Sequence, residues 1–354
     1  MWIADMDMKT DPFVAEALRM RLDRDVLGYT SIPAEFYDVI HAWQKRYHGF
    51  DLDREWIGYA PGVITGINQA YLTFTEPGDK VIIQPPVYDH FRLYIERMGR
   101  VAVDNPLIFK DGRYQMDFDG LEKLFDDKTK ILLLCNPQNP CGILWDQETL
   151  ATLAEICDRH GVMVISDEIH ADMALFGNKH IPFASVSDEA AQISITFGAP
   201  SKTFNIAGIV SSYAIVPNDS LRRRFYTWLE ANELNDPPLF SPIATIAAYT
   251  QGEDYRQQML SYIEDNIRFV EDYCREHLPQ IKPWRPQASF LVWLDCRALG
   301  LSHDALVDLF VNHAHLALND GAMFGIGGSG FMRLNVGTPR AVLRQALEQL
   351  FRAL

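Results

Sequence analysis

The chain has 354 residues, 48% hydrophobic and 22% charged, with a formal net charge of −15. Its length exceeds one ordinary core and its composition argues against long disorder. The excess of acid argues against nucleic acid or an anionic membrane as partner, since both would be repelled.

In chain order, the apolar periodicity predicts helices over 65–75 and 88–98, with a strand over Val81-Ile82-Ile83 between them. Strands follow over 131–135, 162–165, 193–197 and 213–216, with helices over 147–160 and 220–230. Alternating strands and helices predict an α/β fold with a mostly parallel sheet flanked by helices. Beyond residue 250 the pattern changes to a long helix over 255–277, a strand over 289–294, and helices over 302–313 and 340–354. The expected division is a large domain of residues 26–250 and a smaller α+β domain built from 1–25 and 251–354. No internal repeat or low-complexity tract interrupts it.

The five cysteines are an odd number with no CxxC pair, which suggests a reducing compartment and no disulfide framework. No stretch is apolar enough to span a bilayer, and the acidic start Met1 to Asp7 does not read as a signal peptide. A soluble cytoplasmic protein is expected.

The chemistry-bearing motifs fall near the carboxyl ends of the strands, where open α/β sheets usually bind ligands. Lys202, in Ala199-Pro200-Ser201-Lys202-Thr203-Phe204-Asn205, follows the run ending at Phe197. A buried ammonium is costly, and desolvation favours a neutral amine that can attack a carbonyl. Asp167 ends the strand run before it. A lysine for the aldehyde and a carboxylate for the ring nitrogen are the two contacts that pyridoxal phosphate needs.

Asn136-Pro137-Gln138-Asn139-Pro140-Cys141-Gly142 is a rigid turn that reads either as plain structure or as an amide, Asn139, beside a cofactor. Pro61-Gly62-Val63-Ile64-Thr65 opens a helix whose free N–H groups suit a phosphate. Tyr88 could stack on a ring or simply fill the core. Arg333 offers a planar fork for a carboxylate, against the blander reading of a salt bridge. A metal reading of Asp167, His170 and Asp172, or of His313 and His315, lacks a ligand set with proper spacing. The glycines 325, 327, 328 and 330 read as a tight turn leading to Arg333 and do not match a nucleotide loop.

Tyr88, the NPxNPxG and DExH runs, the SK-T-F-N-x-A-G run and the late Arg-Leu-Asn, in that order, resemble fold-type I pyridoxal-phosphate enzymes of the class I/II aminotransferase group. Trp2 to Asp7, Gly28-Tyr29-Thr30 and His170 resemble in particular the cystathionine β-lyase (C–S lyase) subfamily of the MalY/PatB type. The resemblance implies that Lys202 binds the cofactor aldehyde, Asp167 the pyridine nitrogen, Asn139 the ring hydroxyl and Tyr88 the ring face. It implies a phosphate site at Gly62, Val63 and Ile64, aided by Ser201, and it places His170 beside the cofactor. It implies that Arg333 takes the substrate carboxylate and that Tyr29 reaches the site of a second subunit in a homodimer.

Val210 stands where many aminotransferases have a phosphate-binding arginine, Ala199 where a serine is common, and His170 where aspartate aminotransferase has a tyrosine. These departures fit the lyase subfamily better. The Trp2 to Asp7 segment lies further into the chain in the family, so the resemblance also implies an N-terminal arm ahead of it. The expected activity is β-elimination of a thiol from a sulfur amino acid to give pyruvate and ammonia. The alternatives are an aminotransferase using the same residues, and a catalytically silent regulatory or binding protein on the same fold.

Overall fold

The computed structural model describes residues 1–110 and 112–354. Its largest layer is a seven-stranded sheet of β1 (Ile57–Ala60), β2 (Lys80–Ile83), β3 (Val101–Asp104), β6 (Thr129–Cys135), β7 (Met163–Asp167), β8 (Ser194–Gly198) and β9 (Ser212–Ile215). A separate hairpin, β4 (Ile108–Lys110) with β5 (Arg113–Gln115), lies between β3 and β6 in the chain. The sheet order is β1-β9-β8-β7-β6-β2-β3. Strand β9 runs antiparallel to both its neighbours, and the remaining pairs are parallel. This is the mostly parallel sheet that the continuous apolar runs predict.

Alternate strand residues serve opposite faces, as the two-residue period of a strand requires. Val81, Ile83, Ile131 and Leu133 pack under α3 (Val63–Phe74), α4 (His90–Arg97) and α8 (Asp219–Ala231). Ile82, Leu132, Leu134 and Val164 pack under α6 (Gln147–Arg159) on the other face. Two short helices, α5 (Phe118–Glu122) and α7 (Asp188–Ile193), complete the connections. Side-chain caps define the helix starts: Asp146 accepts from Thr149 N at 2.8 Å, and Asn218 accepts from Leu221 N at 3.1 Å.

Helices α1 (Pro12–Leu22), α2 (Ala34–Trp43) and α9 (Phe240–Gln251) form a further layer, in which Val14, Phe36, Ile40, Trp43 and Ala248 share one core with Ile57 and Ile215. Sequence periodicity misses α9 because Phe240-Ser241-Pro242-Ile243-Ala244-Thr245 is apolar on nearly all sides and leaves no polar stripe to read.

The second sheet, β10 (Lys282–Trp284), β11 (Leu291–Asp295), β12 (Asn319–Asp320) and β13 (Phe331–Asn335), is antiparallel in the order β10-β11-β13-β12. It is covered by α10 (Glu253–His277), α11 (His303–Asp308) and α12 (Arg340–Ala353). On α10 the buried Met259, Ile263, Ile267, Val270 and Cys274 recur every three or four residues, the stripe that predicts this helix. Met6 lies in this core, whereas Val14 of α1 packs in the α9 layer.

Candidate active site

The site is built where β6, β7 and β8 end side by side. Their register pairs Cys135 with Asp167 and Asp167 with Phe197, so the segments that follow share one rim. A cavity of about 270 Å³ opens there. Gly62, Val63, Ile64, Tyr88, Asn139, Asp167, His170, Ser201 and Lys202 all line it. Nine residues scattered over 140 positions of the chain thus meet in one place.

One wall is the start of α3. Gly62 holds φ +96°, a backbone state that side-chained residues rarely adopt, and this turns the chain from β1 into the helix. Ser212 Oγ accepts from Gly62 N at 2.9 Å and donates to Ala60 O at 2.7 Å, which fixes the turn. No side chain caps α3 and no acid lies in its first turn. The first N–H groups of a helix have no partner within it and carry its positive end, so this wall suits a phosphate. Ser201, Ser211, Ser212 and Thr65 add hydroxyls along the same cavity. Sequence reading misses Ser211 and Ser212, since small residues opening an apolar strand carry no distinctive signal. Val210 also lines the cavity and holds φ +55°, so no cation extends from that position.

Asp167 is buried at 5% exposure, and Ile169 N donates to its Oδ1 at 3.1 Å. Burial, reinforced by the neighbouring Glu168, pushes its carboxyl up from 3.8 to about 7. Glu168 points elsewhere: its carboxylate accepts from Ser166 Oγ, Phe183 N and His180 Nε2, each at 2.8 Å. Burial, followed by the charges of Lys202 and Arg333, lowers the His170 imidazole to about 3, so it is neutral. Its Nδ1 is buried without a partner. Asp172 faces away from Asp167, with Trp43 Nε1 donating to it at 2.7 Å and His48 Nε2 at 2.8 Å.

Lys202 donates from Nζ to the carbonyl of Ala4 at 2.6 Å and lies 3.8 Å from Asp5 Oδ1. Burial lowers its pKa, Arg333 lowers it further, and Asp5 and Asp167 oppose the shift. The N-terminal segment that meets it is laced down by two asparagines. Asn335 Nδ2 donates to Ile3 O at 2.7 Å and Asp5 O at 2.6 Å, and Asn205 Nδ2 donates to Met6 O and Met8 O, both at 2.8 Å.

Arg333 lies on β13, beside this cavity and 4% exposed. Its Nη1 donates to Asn139 Oδ1 at 2.9 Å, and its Nη2 to Asn319 Oδ1 at 2.6 Å and Trp2 O at 3.1 Å. Its Nε is buried without a partner. Burial lowers its pKa to about 10, so it stays charged near neutrality. Asn319 is a partner that the sequence alone does not reveal, because 14 residues separate it from Arg333 along the chain. Tyr88 stacks on His90 with ring centroids 4.9 Å apart, and its ring borders the cavity. Tyr29 does not join this set. It is fully exposed, beside Asp236 and Pro237 in a separate surface groove.

These features fit pyridoxal phosphate. The uncapped helix start suits its phosphate, and the buried, uncompensated Asp167 carboxyl suits a protonated ring nitrogen. The depressed Lys202 amine suits its aldehyde.

The fold and this constellation define a class: the chain belongs to the class I and II aminotransferase family, whose model matches residues 4–350. Among named relatives it is 43% identical to the cystathionine beta-lyase PatB of Bacillus subtilis, over all of this chain and 92% of PatB. It is 35% identical to the protein MalY of Escherichia coli, over 99% of this chain and 90% of MalY. Its fold superposes on cystalysin of Treponema denticola, a structure that contains pyridoxal 5'-phosphate. The TM-score is 0.97 at 36% identity, over all of this chain and 90% of cystalysin.

Proposed function

We propose that the protein is a pyridoxal-phosphate-dependent carbon–sulfur β-lyase of the cystathionine β-lyase type. The observation that carries this reading is the joint placement of Lys202 and Asp167 on one cavity that an uncapped helix start also lines. The identity to PatB and MalY and the likeness to cystalysin support the lyase over other reactions of the fold.

When bound, pyridoxal phosphate supplies an aldehyde for the substrate amine and a ring that accepts the electron pair left by the Cα proton. The chain's residues do the rest. Gly62, Val63, Ile64 and Ser201 hold the phosphate. Asp167, ionised once it faces a ring cation, keeps that cation protonated. Asn139, His170 and Tyr88, which line the same cavity, would contact the ring. Arg333 holds the substrate α-carboxylate, which gives its unpartnered Nε a role. Lys202, poised toward the neutral amine by burial, takes the Cα proton, and as the Cβ–S bond breaks that proton leaves with the thiolate as free thiol. The net reaction splits the Cβ–S bond with water and yields thiol, pyruvate and ammonia.

The working form is a homodimer, and the exposed Tyr29 reaches the partner's site. The five cysteines are all free and buried, which suits a reducing cytoplasm, and no helix among the described residues is long and apolar enough to cross a membrane. Thiol and pyruvate are followed during incubation with cystathionine, with and without a keto-acid acceptor. Release without the acceptor is expected; strict dependence on it would make the protein an aminotransferase.

A further inference from the structure

The reading above assigns the α-amine and α-carboxylate of the substrate and leaves its distal end without a partner. Ala4 lines the cavity, and the next residue, Asp5, brings a carboxylate near it. Asp5 lies 3.8 Å from Lys202 Nζ while its side chain is 56% exposed, so it stands at the mouth. Its backbone is fixed by Asn335 Nδ2 at 2.6 Å, and Asn205 Nδ2 fixes the next carbonyl, Met6 O, at 2.8 Å. The side chain therefore springs from a fixed backbone although its carboxylate faces water.

Ala4 O and Asp5 Oδ1 are two acceptors arranged around one ammonium. The pair shows that this end of the cleft can accommodate an ammonium. Apart from Lys202 the lining contains no lysine or arginine to draw a distal anion. Arg333 is committed to Asn139, Asn319 and Trp2 O, with its Nε left free for the α-carboxylate. The net charge of −15 acts in the same direction at longer range, favouring the approach of cations.

We infer that Asp5 determines specificity at the distal end of the substrate: it selects S-substituted cysteines bearing a distal ammonium over those whose distal end is only a carboxylate. This inference rests on the lyase reading, and the test separates the two. Three thioethers differing at the far end are compared with the holoenzyme: S-(2-aminoethyl)-L-cysteine, S-propyl-L-cysteine and S-(2-carboxyethyl)-L-cysteine. The quantity read is the ratio of their kcat/KM values for pyruvate release.

A half-exposed pair at this separation is worth roughly tenfold, between the limits for water and for a protein surface. The ammonium probe is therefore expected to lead the neutral one by about tenfold, with the carboxylate probe last. Asp5→Asn collapses the ranking and Asp5→Lys reverses it. Raised salt shrinks the wild-type preference, as screening requires. The Asp5 side chain makes no hydrogen bond to hold the fold, and far-ultraviolet dichroism checks that both variants are folded. If all probes release pyruvate but the variants change them in equal proportion, Asp5 only positions Lys202 and the inference is overturned. If no probe releases pyruvate from the wild type, the lyase reading itself fails.

Discussion

Arg333→Lys isolates the part of the site that the tertiary structure builds most deliberately. The guanidinium makes three hydrogen bonds, to Asn139, Asn319 and Trp2 O, and keeps an unpartnered Nε in a 4% exposed setting. An ammonium keeps the charge but cannot present a planar fork to a carboxylate while also reaching both asparagines. A hydrogen bond to a charged group is worth ~1.5–3 kcal/mol, so losing one carboxylate contact removes about 2 kcal/mol, or roughly thirtyfold in kcat/KM. Because the α-carboxylate does not react, the loss should fall mainly on KM, the mark of a contact equal in ground and transition states. An asparagine left without its donor costs a further ~1–3 kcal/mol of stability. Initial rates of pyruvate formation over a range of substrate concentrations give kcat and KM separately, and urea melts give the stability change. A folded variant with wild-type KM would refute the assignment of Arg333 to the carboxylate.

Lys202→Ala should lose the visible absorbance of the cofactor–lysine adduct and lower turnover by several orders of magnitude; retention of both would remove the lysine from the chemistry. In the cofactor-free protein, Asp167 has a pKa raised from 3.8 to about 7, so its contribution to stability is full below pH 3.8 and is lost as pH rises toward 7. That loss amounts to ~4 kcal/mol, so cofactor-free Asp167→Asn should be the more stable protein at pH 8 and melt with less dependence on pH; equal pH slopes in urea melts would count against it. Glu168→Ala leaves the buried His180, Ser166 and Phe183 N without their acceptor and should destabilise by ~3–5 kcal/mol, read from the same melts. At Gly66 an added Cβ would come 2.5 Å from Phe197 Cε1 under the sheet, so Gly66→Ala should cost ~1–3 kcal/mol through overpacking, and a neutral melt would show that Phe197 can yield.

The sequence by itself determined the parallel strands, because runs such as Ile131 to Cys135 and Val162 to Ile165 are apolar throughout and are buried on both faces. It also marked Lys202 and Asp167, since a charged residue at the end of such a run is expensive without a purpose. Short or uniformly apolar pieces escaped it: β1 is four residues with a glycine inside, and α9 has no polar side. Only the tertiary structure decided which distant groups meet. Asn139 and Arg333, 194 residues apart, share a hydrogen bond, and Ala4 and Asp5 reach Lys202 across nearly 200 residues. Spacing along a chain encodes the faces of a helix or a strand, whereas such meetings depend on strand order and on how the two sheets dock. The burial that shifts Asp167, His170 and Lys202 has the same origin, since desolvation belongs to the assembled cleft and to no local stretch of residues.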